Sequence, residues 1–442
     1  MLNKLAFYLL CFIIWFAPIP LGANRPWAWG IVELLICINT LLICFNHNFQ
    51  DIFKRLKPIR YILSTIFIVQ IWVFLQWIGQ YNADLSVFGL GTFDLTQTEI
   101  SLIKGISFCL FIINLAFLLN STLRIKQLCW IIMLAGLTQA VYAIFLQYSG
   151  WESSILGLEI GPRASGSFVY QNHLANYLLL CLSVAIGYLI GSLEGIEATT
   201  NKHKLISIIE TLLSTKWVVR ISIIIMVVAL IMTRSRMGNS AFFVSLLVSS
   251  VFALILMKRP ANTLKWLIVS LIVLDMVIVG TYFGVEKVKE RLEATSYQSE
   301  TRNDVVQDAI PYIQDYIFTG TGAGSFYSSF LQYQSTEYKD FYDHAHNEYV
   351  EFSAELGIIP SLFLFAIVLS VIWKCLKTLR TSHRKFNSGM AMGCLMACIG
   401  MMMHCTVDFI LQDYAIVILF LTVLSVPFLL NATDIKKTAS TK

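Results

Sequence analysis

Charge is what this chain has least of. Only 13% of its 442 residues are Asp, Glu, Lys or Arg, and 57% are hydrophobic. A soluble globular chain carries roughly 25% charged residues. The polar side chains needed to cover a soluble surface are therefore missing. That excludes a soluble enzyme, a nucleic-acid-binding protein and a disordered protein. Alternating ten-residue segments of the transmembrane β-barrel kind are missing too; the apolar runs are continuous and about 20 residues long. Internal repeats and low-complexity tracts are absent. Cysteine is absent from the long polar stretch 284–351, and most of the ten cysteines fall in apolar runs (Cys11, Cys37, Cys44, Cys109, Cys129, Cys181, Cys394, Cys398). Neither a disulfide framework nor a metal-ligand spacing emerges. What is there is the pattern of an all-α, polytopic integral membrane protein, read as one membrane domain over residues 1–442.

A helix needs about 20 apolar residues to cross a hydrocarbon core of roughly 30 Å. Twelve stretches qualify: 5–22, 27–45, 61–79, 100–120, 127–148, 170–191, 216–233, 238–257, 264–283, 352–373, 389–405 and 411–431. The stretch 389–405 is short and rich in Gly, Met and Cys. Residues 284–351 form the one long loop, partly helical, between spans nine and ten. The first span lacks a clear small-x-small cleavage site and runs into Pro18-Ile19-Pro20, so it reads as a span and not as a cleaved signal peptide.

An even number of spans puts both termini on one side, and the positive-inside rule names it. With the N-terminus in the cytoplasm, 21 of the 32 basic residues fall in inside segments, among them Lys54, Arg55, Lys57 and Arg60, and Lys374, Lys377, Arg380, Arg384 and Lys385. Lys104 and Arg220 lie near helix ends and can snorkel. Nine face outward: Arg25, Arg163, Arg234, Arg236, Lys287, Lys289, Arg291, Arg302 and Lys339. The net charge of +5 is thus mostly a topology signal.

A basic residue that resists the topological bias is a candidate for function. Lys287, Lys289 and Arg291 alternate with Glu286, Glu290 and Glu293, which reads as a solvated helix face. Arg234 and Arg236 are different. They share a short turn, Thr233-Arg-Ser-Arg-Met-Gly238, between two apolar spans, where charge is expensive and calls for a polar cavity or a bound anion. The bland alternative is a lipid headgroup or a structural ion pair. Arg163 sits in Gly161-Pro-Arg-Ala-Ser-Gly-Ser-Phe168. In Gly320-Thr-Gly-Ala-Gly-Ser-Phe326, Gly322 and Gly324 could cradle an anion with backbone N–H groups, although such stretches are often only turns. Tyr342-Asp-His-Ala-His-Asn-Glu-Tyr349 brings His344, His346 and Asn347 to the mouth of a span. His346 is the leading ligand-contact or catalytic candidate, since its charge changes near neutral pH. Two histidines alone make a poor metal site. Asn172, His173 and Asn176 open span six, and His404 and Asp408 close span eleven. For both groups, interhelical hydrogen bonding is the simpler reading. Glu33 and Asp275 are isolated acids inside spans.

The order of these segments resembles the O-antigen ligase and polymerase superfamily of bacterial envelope glycosyltransferases. The resemblance rests on Arg163-Ala-Ser-Gly-Ser-Phe-Val-Tyr-Gln-Asn-His-Leu-Ala-Asn176, Thr233-Arg-Ser-Arg-Met-Gly238, Thr301-Arg302, Gly320-Thr-Gly-Ala-Gly-Ser-Phe326, His344-Ala-His-Asn-Glu-Tyr349, Ala354-Glu-Leu-Gly357, and His404 with Asp408-Phe409. The opening Pro20-Leu-Gly-Ala-Asn-Arg-Pro-Trp27 looks like that of many members. The resemblance implies a GT-C-like, helical, metal-independent glycosyltransferase without a cofactor, in the bacterial inner membrane with its active face periplasmic. The implied donor is a glycan on undecaprenyl pyrophosphate. The implied acceptor is lipid A core for a ligase, another glycan for a polymerase, or a protein hydroxyl. By resemblance Arg236 and Arg302 hold the pyrophosphate, with Arg163 and Arg234 behind them, and His346 is general base with Asn347 orienting it. Asn172, His173, His344, Gly322 and Gly324 are further substrate-binding candidates. Thr-Arg-Ser-Arg departs from the single Ser-Arg of the family, so two arginines compete for one role. A transporter or flippase is the reading from another class; it predicts two related halves and midplane charges, and neither is seen.

Overall fold

The protein is described from a computed structural model, which covers residues 2–46, 52–82, 89–192, 215–257, 265, 269, 296–335 and 342–440. Its elements are helical throughout. In chain order they are α1 Leu2–Phe16, α2 Pro26–Asn46, α3 Ile52–Leu56, α4 Arg60–Gly79, α5 Leu95–Leu118, α6 Thr122–Tyr148, α7 Gln171–Gly191, α8 Thr215–Met232, α9 Arg236–Leu256, α10 Ser296–Asp315, α11 Phe326–Ser329, α12 Glu348–Leu356, α13 Ile358–Thr381, α14 Lys385–His404 and α15 Tyr414–Ser440. Among the described residues, nine helical stretches are long and apolar enough to cross a membrane, with α3 and α4 counted as one, and two shorter apolar helices, Leu2–Phe16 and Trp217–Met232, accompany them. The protein is an all-α polytopic membrane protein. The expected span 264–283 with Asp275 lies outside the described residues, as do Lys287, Lys289, Arg291 and Lys339.

Lipid cannot drive apolar faces together, so the centre of such a bundle is built from small residues that allow close backbone approach. That explains the Gly-, Met- and Cys-rich stretch near 389–405. It lies in α14, nearly all of which is buried, against the equally buried α7. A Cβ at Gly389 would sit 2.4 Å from the Gly187 carbonyl oxygen, and one at Gly393 would sit 2.4 Å from that of Ser183. Helix α15 completes this central layer, and the other helices pack around it.

Two boundaries differ from the sequence reading. Span ten starts at Ile358 and not at 352, because Gly357 adopts φ +81° and breaks the chain. Residues 348–356 become the separate short helix α12. A side chain at Gly357 would also meet the Phe318 carbonyl oxygen at 2.5 Å, so the break is packed as well as turned. The first span ends as a helix at Phe16, followed by a left-handed turn through Leu21, Gly22 and Ala23 (φ 58°, 67° and 54°). Within 296–356, a small apolar core of Val305, Ala309, Tyr312, Phe326, Phe330, Ala345 and Ala354 holds α10, α11 and α12 together. The Tyr312 hydroxyl pins it through Ser329 and Thr321.

Candidate functional site

Helix α14 ends at His404, and the chain passes through residues 405–413 before α15 begins. This connection carries Asp408 and Asp413, both buried. Buried carboxylates need hydrogen-bond partners, and those partners assemble the site. Asp413 Oδ2 meets His173 Nδ1 at 2.7 Å, and its Oδ1 accepts from Asn24 Nδ2 at 2.7 Å. The left-handed turn at 21–23 brings the chain here: a Cβ on Gly22 would touch both Phe168 and Asp413. Asp408 Oδ2 accepts from Asn172 Nδ2, while Oδ1 accepts from the Phe409 N–H at 3.1 Å and lies 3.7 Å from His346 Nδ1. Burial alone would raise the Asp408 pKa, but the neighbouring imidazoles of His346, His173 and His404 hold it below the usual carboxylate range. Asp408 is therefore an anion at neutral pH.

Among the described residues, His346 is one of four non-glycine residues with positive φ, at 49°, and Arg234 is another, at 51°. Left-handed backbone at a bulky residue costs energy and tends to collect at functional sites. The two strained positions are linked. Arg163 Nε donates to the Thr233 carbonyl at 3.1 Å, and its Nη2 donates to the Arg234 carbonyl at 3.2 Å and to Asn172 Oδ1 at 3.5 Å. A continuous path thus runs from the arginine turn through Arg163, Asn172 and Asp408 to His346. Ser235 caps α9 by accepting from the Gly238 N–H at 3.2 Å, which places Arg236 in the first turn of that helix. Arg234 and Arg236 are both exposed.

One phenyl ring organises three histidines. Phe409 stacks on His344 at 4.5 Å between centroids, and meets His346 edge-on at 4.8 Å and His173 at 5.1 Å. His344 faces away from Asp408. Its Nδ1 lies 2.7 Å from Glu351 Oε1, which also accepts from Gln412 Nε2 at 2.9 Å, and Glu351 Oε2 accepts from the Ala345 N–H at 2.9 Å. Burial would lower the His344 pKa, but the Glu351 carboxylate, with Asp343 and Glu348 behind it, carries it up to about 9. His344 is therefore protonated at neutral pH.

The structure sorts the sequence candidates. Arg163, Arg234, Asn172, His173, His344 and His346 come together. Arg236 lies two residues from Arg234. Arg302 lies on α10, and its side chain is outside the described set. Asn347 was expected to orient His346. Its side-chain oxygen instead caps α12, accepting from the Tyr349 and Val350 N–H groups at 3.1 and 3.3 Å. Gly322 and Gly324 were expected to cradle a substrate anion. Their N–H groups go to Glu355: Gly322 donates to its backbone carbonyl at 3.0 Å, and Gly324 together with Phe326 donates to its carboxyl group. The loop packs against Thr92, Gln97 and Ser101 around the start of α5. The carboxyl group this nest takes is the protein's own. Asn176 bonds His404, Nδ2 to Nδ1, at 3.1 Å, the interhelical role that the sequence suggested for both. Glu33, without a nameable partner in the sequence, has Ser107 at 3.5 Å and Lys104 as its neighbouring charge.

Asp413 and Glu351 were not singled out from the sequence, and Asn24 and Phe409 entered only inside segments of the family resemblance, with no role of their own. A signal existed for Glu351: Glu348, Glu351 and Glu355 repeat at helical spacing, so they share one face, and that face is buried. Asp413 gave none, because a single acid between two spans looks like any connection.

A comparison with curated proteins finds no match. Residues 221–366 match the family model described as O-antigen ligase. The matched stretch contains Arg234, Arg236, Arg302, His344, His346 and Glu351, whereas Arg163, Asn172, Asp408 and Asp413 lie outside it and reach the same site through the fold. Over residues 221–366, this multi-pass membrane protein is thus similar to the O-antigen ligase family.

Proposed function

We propose that the protein moves an oligo- or polysaccharide from undecaprenyl pyrophosphate to an acceptor hydroxyl, with lipid A core as the acceptor, at the periplasmic face of the bacterial inner membrane. The observation that carries this reading is the Asp408 carboxylate. One of its oxygens faces His346, and the other reaches, through Asn172, the Arg163 that holds the arginine turn. A proton acceptor and a cationic anion-binding turn are thereby set on one rigid path.

The chemistry follows from these roles. The acceptor oxygen attacks the anomeric carbon, and the bond from that carbon to the pyrophosphate oxygen breaks, its electron pair leaving with the pyrophosphate. The hydroxyl proton passes to His346 as general base. The Asp408 anion then stabilises the imidazolium. His344 is unsuited to this task, being already protonated beside Glu351. Arg236, with Arg234 and Arg302, takes the charge of the leaving pyrophosphate. A guanidinium stays charged at every relevant pH and matches phosphate oxygens with a bidentate fork. This reading calls for no metal and no cofactor. Losing one such clamp costs on the order of 2.7–4 kcal/mol, by analogy with oxyanion donors.

A polymerase or protein O-oligosaccharyltransferase of the same superfamily uses the same chemistry with another acceptor. Surface glycan from a deletion strain separates them. Polymerised chains left on the lipid carrier mark a ligase; single repeats capped onto the acceptor mark a polymerase. Complementation with Arg236→Ala should leave glycan transfer at background while the protein inserts normally. Full glycan from that variant would show the pyrophosphate assignment to be wrong.

A further inference from the structure

A cavity of about 840 Å³ is lined by α4, α5, α12, α13, α14 and α15. Its wall is apolar over most of its length, from Leu411 and Tyr414 down to Leu424 on α15 and Ile66 on α4. Tyr414 to Leu424 spans roughly 15 Å of helix at 1.5 Å per residue. A lining of that length suits a chain better than a ring.

Its polar end is built by Glu348, Gln412 and Glu355. Glu348 Oε1 accepts from the Leu411 N–H, but Oε2 is fully buried and has no partner. A buried carboxyl atom without a hydrogen bond is costly, and Glu348 is one of the residues that line the cavity. We propose that the cavity seats one ester-linked acyl chain of a membrane lipid, with the ester carbonyl accepting a hydrogen bond from the Glu348 carboxyl. Burial, and then the charge of Glu351, push the Glu348 pKa well above the usual range, so the group is a neutral acid with a proton to donate. Glu355 is likewise pushed up to about 8 by burial and by Glu351.

Charge selects the occupant. Among the described residues, the cavity wall offers one cation, Lys104, which lies 5.1 Å over the Trp29 ring and has Glu33 and Asp413 as neighbouring charges. A phosphate seated at this end would find a single cation to balance its charge, and that cation is already shared with Glu33 and Asp413. An uncharged ester carbonyl meets the donor it needs. The arginines suited to phosphate lie beyond α12, at Arg163, Arg234 and Arg236. The cavity is thus a second lipid site, and it does not depend on the glycosyl-transfer reading. Its polar end touches the first site through Gln412, which donates to the Glu351 that holds His344.

The test uses the full-length protein purified in detergent and two photo-crosslinking probes at trace level. One is a phosphatidylethanolamine with a diazirine midway along one acyl chain; the other is a diazirine-bearing polyprenyl phosphate. The acyl probe should label peptides within 361–368 and 414–424. Leu421→Trp, which fills the channel, should cut that labelling on the order of tenfold. Val417→Trp carries the same test if Leu421→Trp fails to purify as a single species. Glu348→Gln keeps both an acceptor and an N–H donor and should label like the parent, whereas Glu348→Ala should not. Labelling confined to the lipid-facing sides of the helices, labelling unchanged by a tryptophan in the channel, or stronger labelling of these peptides by the polyprenyl phosphate would each overturn the proposal.

Discussion

His344 and His346 are two residues apart, touch the same phenyl ring, and each faces a buried carboxylate, yet they are held in different ways. His344 is locked. Its Nδ1 is 2.7 Å from a Glu351 that is itself tied by Gln412 and the Ala345 N–H. His346 is poised. Its Nδ1 stands 3.7 Å from Asp408, beyond a hydrogen bond, on backbone at φ 49°. A histidine whose needs are met is structural. A strained histidine beside an anion, with that anion tied to a cationic turn, has work left for a substrate to complete. Apo geometries of catalytic groups are often loose in this way. Sequence spacing treats the two residues alike, and only the identity of the facing carboxylate separates them.

The sharpest way to break this contrast is to remove each histidine in turn. His346→Ala should lower the transfer rate by about 10²- to 10⁴-fold, the range for loss of a general base. His344→Gln should lower it by less than about tenfold and appear mainly as a lower melting temperature, as expected when a structural ion pair is removed. Initial rates with a lipid-linked donor, beside melting curves of the same preparations, decide between them. If His344→Gln proves the more damaging to rate at unchanged stability, the roles are reversed.

Asp408→Asn sharpens the same point with a smaller effect. The substitution keeps the size of the side chain and removes the anion that balances a protonated His346. A fall in kcat of about 10- to 100-fold with KM little changed is expected, since the charge matters once the proton has moved. A rise in KM alone would mean that Asp408 only shapes the pocket.

How much of this was legible beforehand depends on what kind of physics set each feature. The helical membrane fold was readable because bilayer thickness imposes a length on every span and topology imposes a side on most basic residues. The arginine turn was readable as an exception to that bias, and the paired histidines as a polar cluster at the mouth of a span. The break at Gly357 was not, since φ +81° is imposed by packing against Phe318 and Gly320 far along the chain. Nor was the fate of Gly322 and Gly324. A glycine nest looks the same in sequence whether its acceptor comes from a substrate or, as here, from the Glu355 carboxyl group. Phe409 shows the limit most clearly: one more aromatic in a chain with 30 phenylalanines, it becomes the hub of the site only when three separate segments meet on it.

The mildest prediction concerns the locked side and depends on pH. Glu351→Gln removes the charge that raises His344 from its ordinary 6.5 to about 9. A raised histidine pKa contributes stability that is fully present below the unfolded value and is lost as pH rises through the folded one. The variant should therefore melt lower than the parent at pH 6, and the gap should close between pH 6.5 and about 9. The acids on the same helix act in the same direction. Glu355 is raised to about 8, first by burial and then by Glu351, so the parent loses stability as pH climbs toward 8 and Glu355 must ionise in the fold. Without Glu351 that loss shrinks. The two effects add, and above pH 9 the variant should equal or exceed the parent. Transfer activity at pH 7 should change less than about tenfold, because Asp408 and His346 are untouched. Melting temperatures of both proteins at pH 6, 7.5 and 9.5 measure the effect directly. A gap independent of pH would mean that Glu351 acts by shape alone, and that His344 is not the protonated member of the pair.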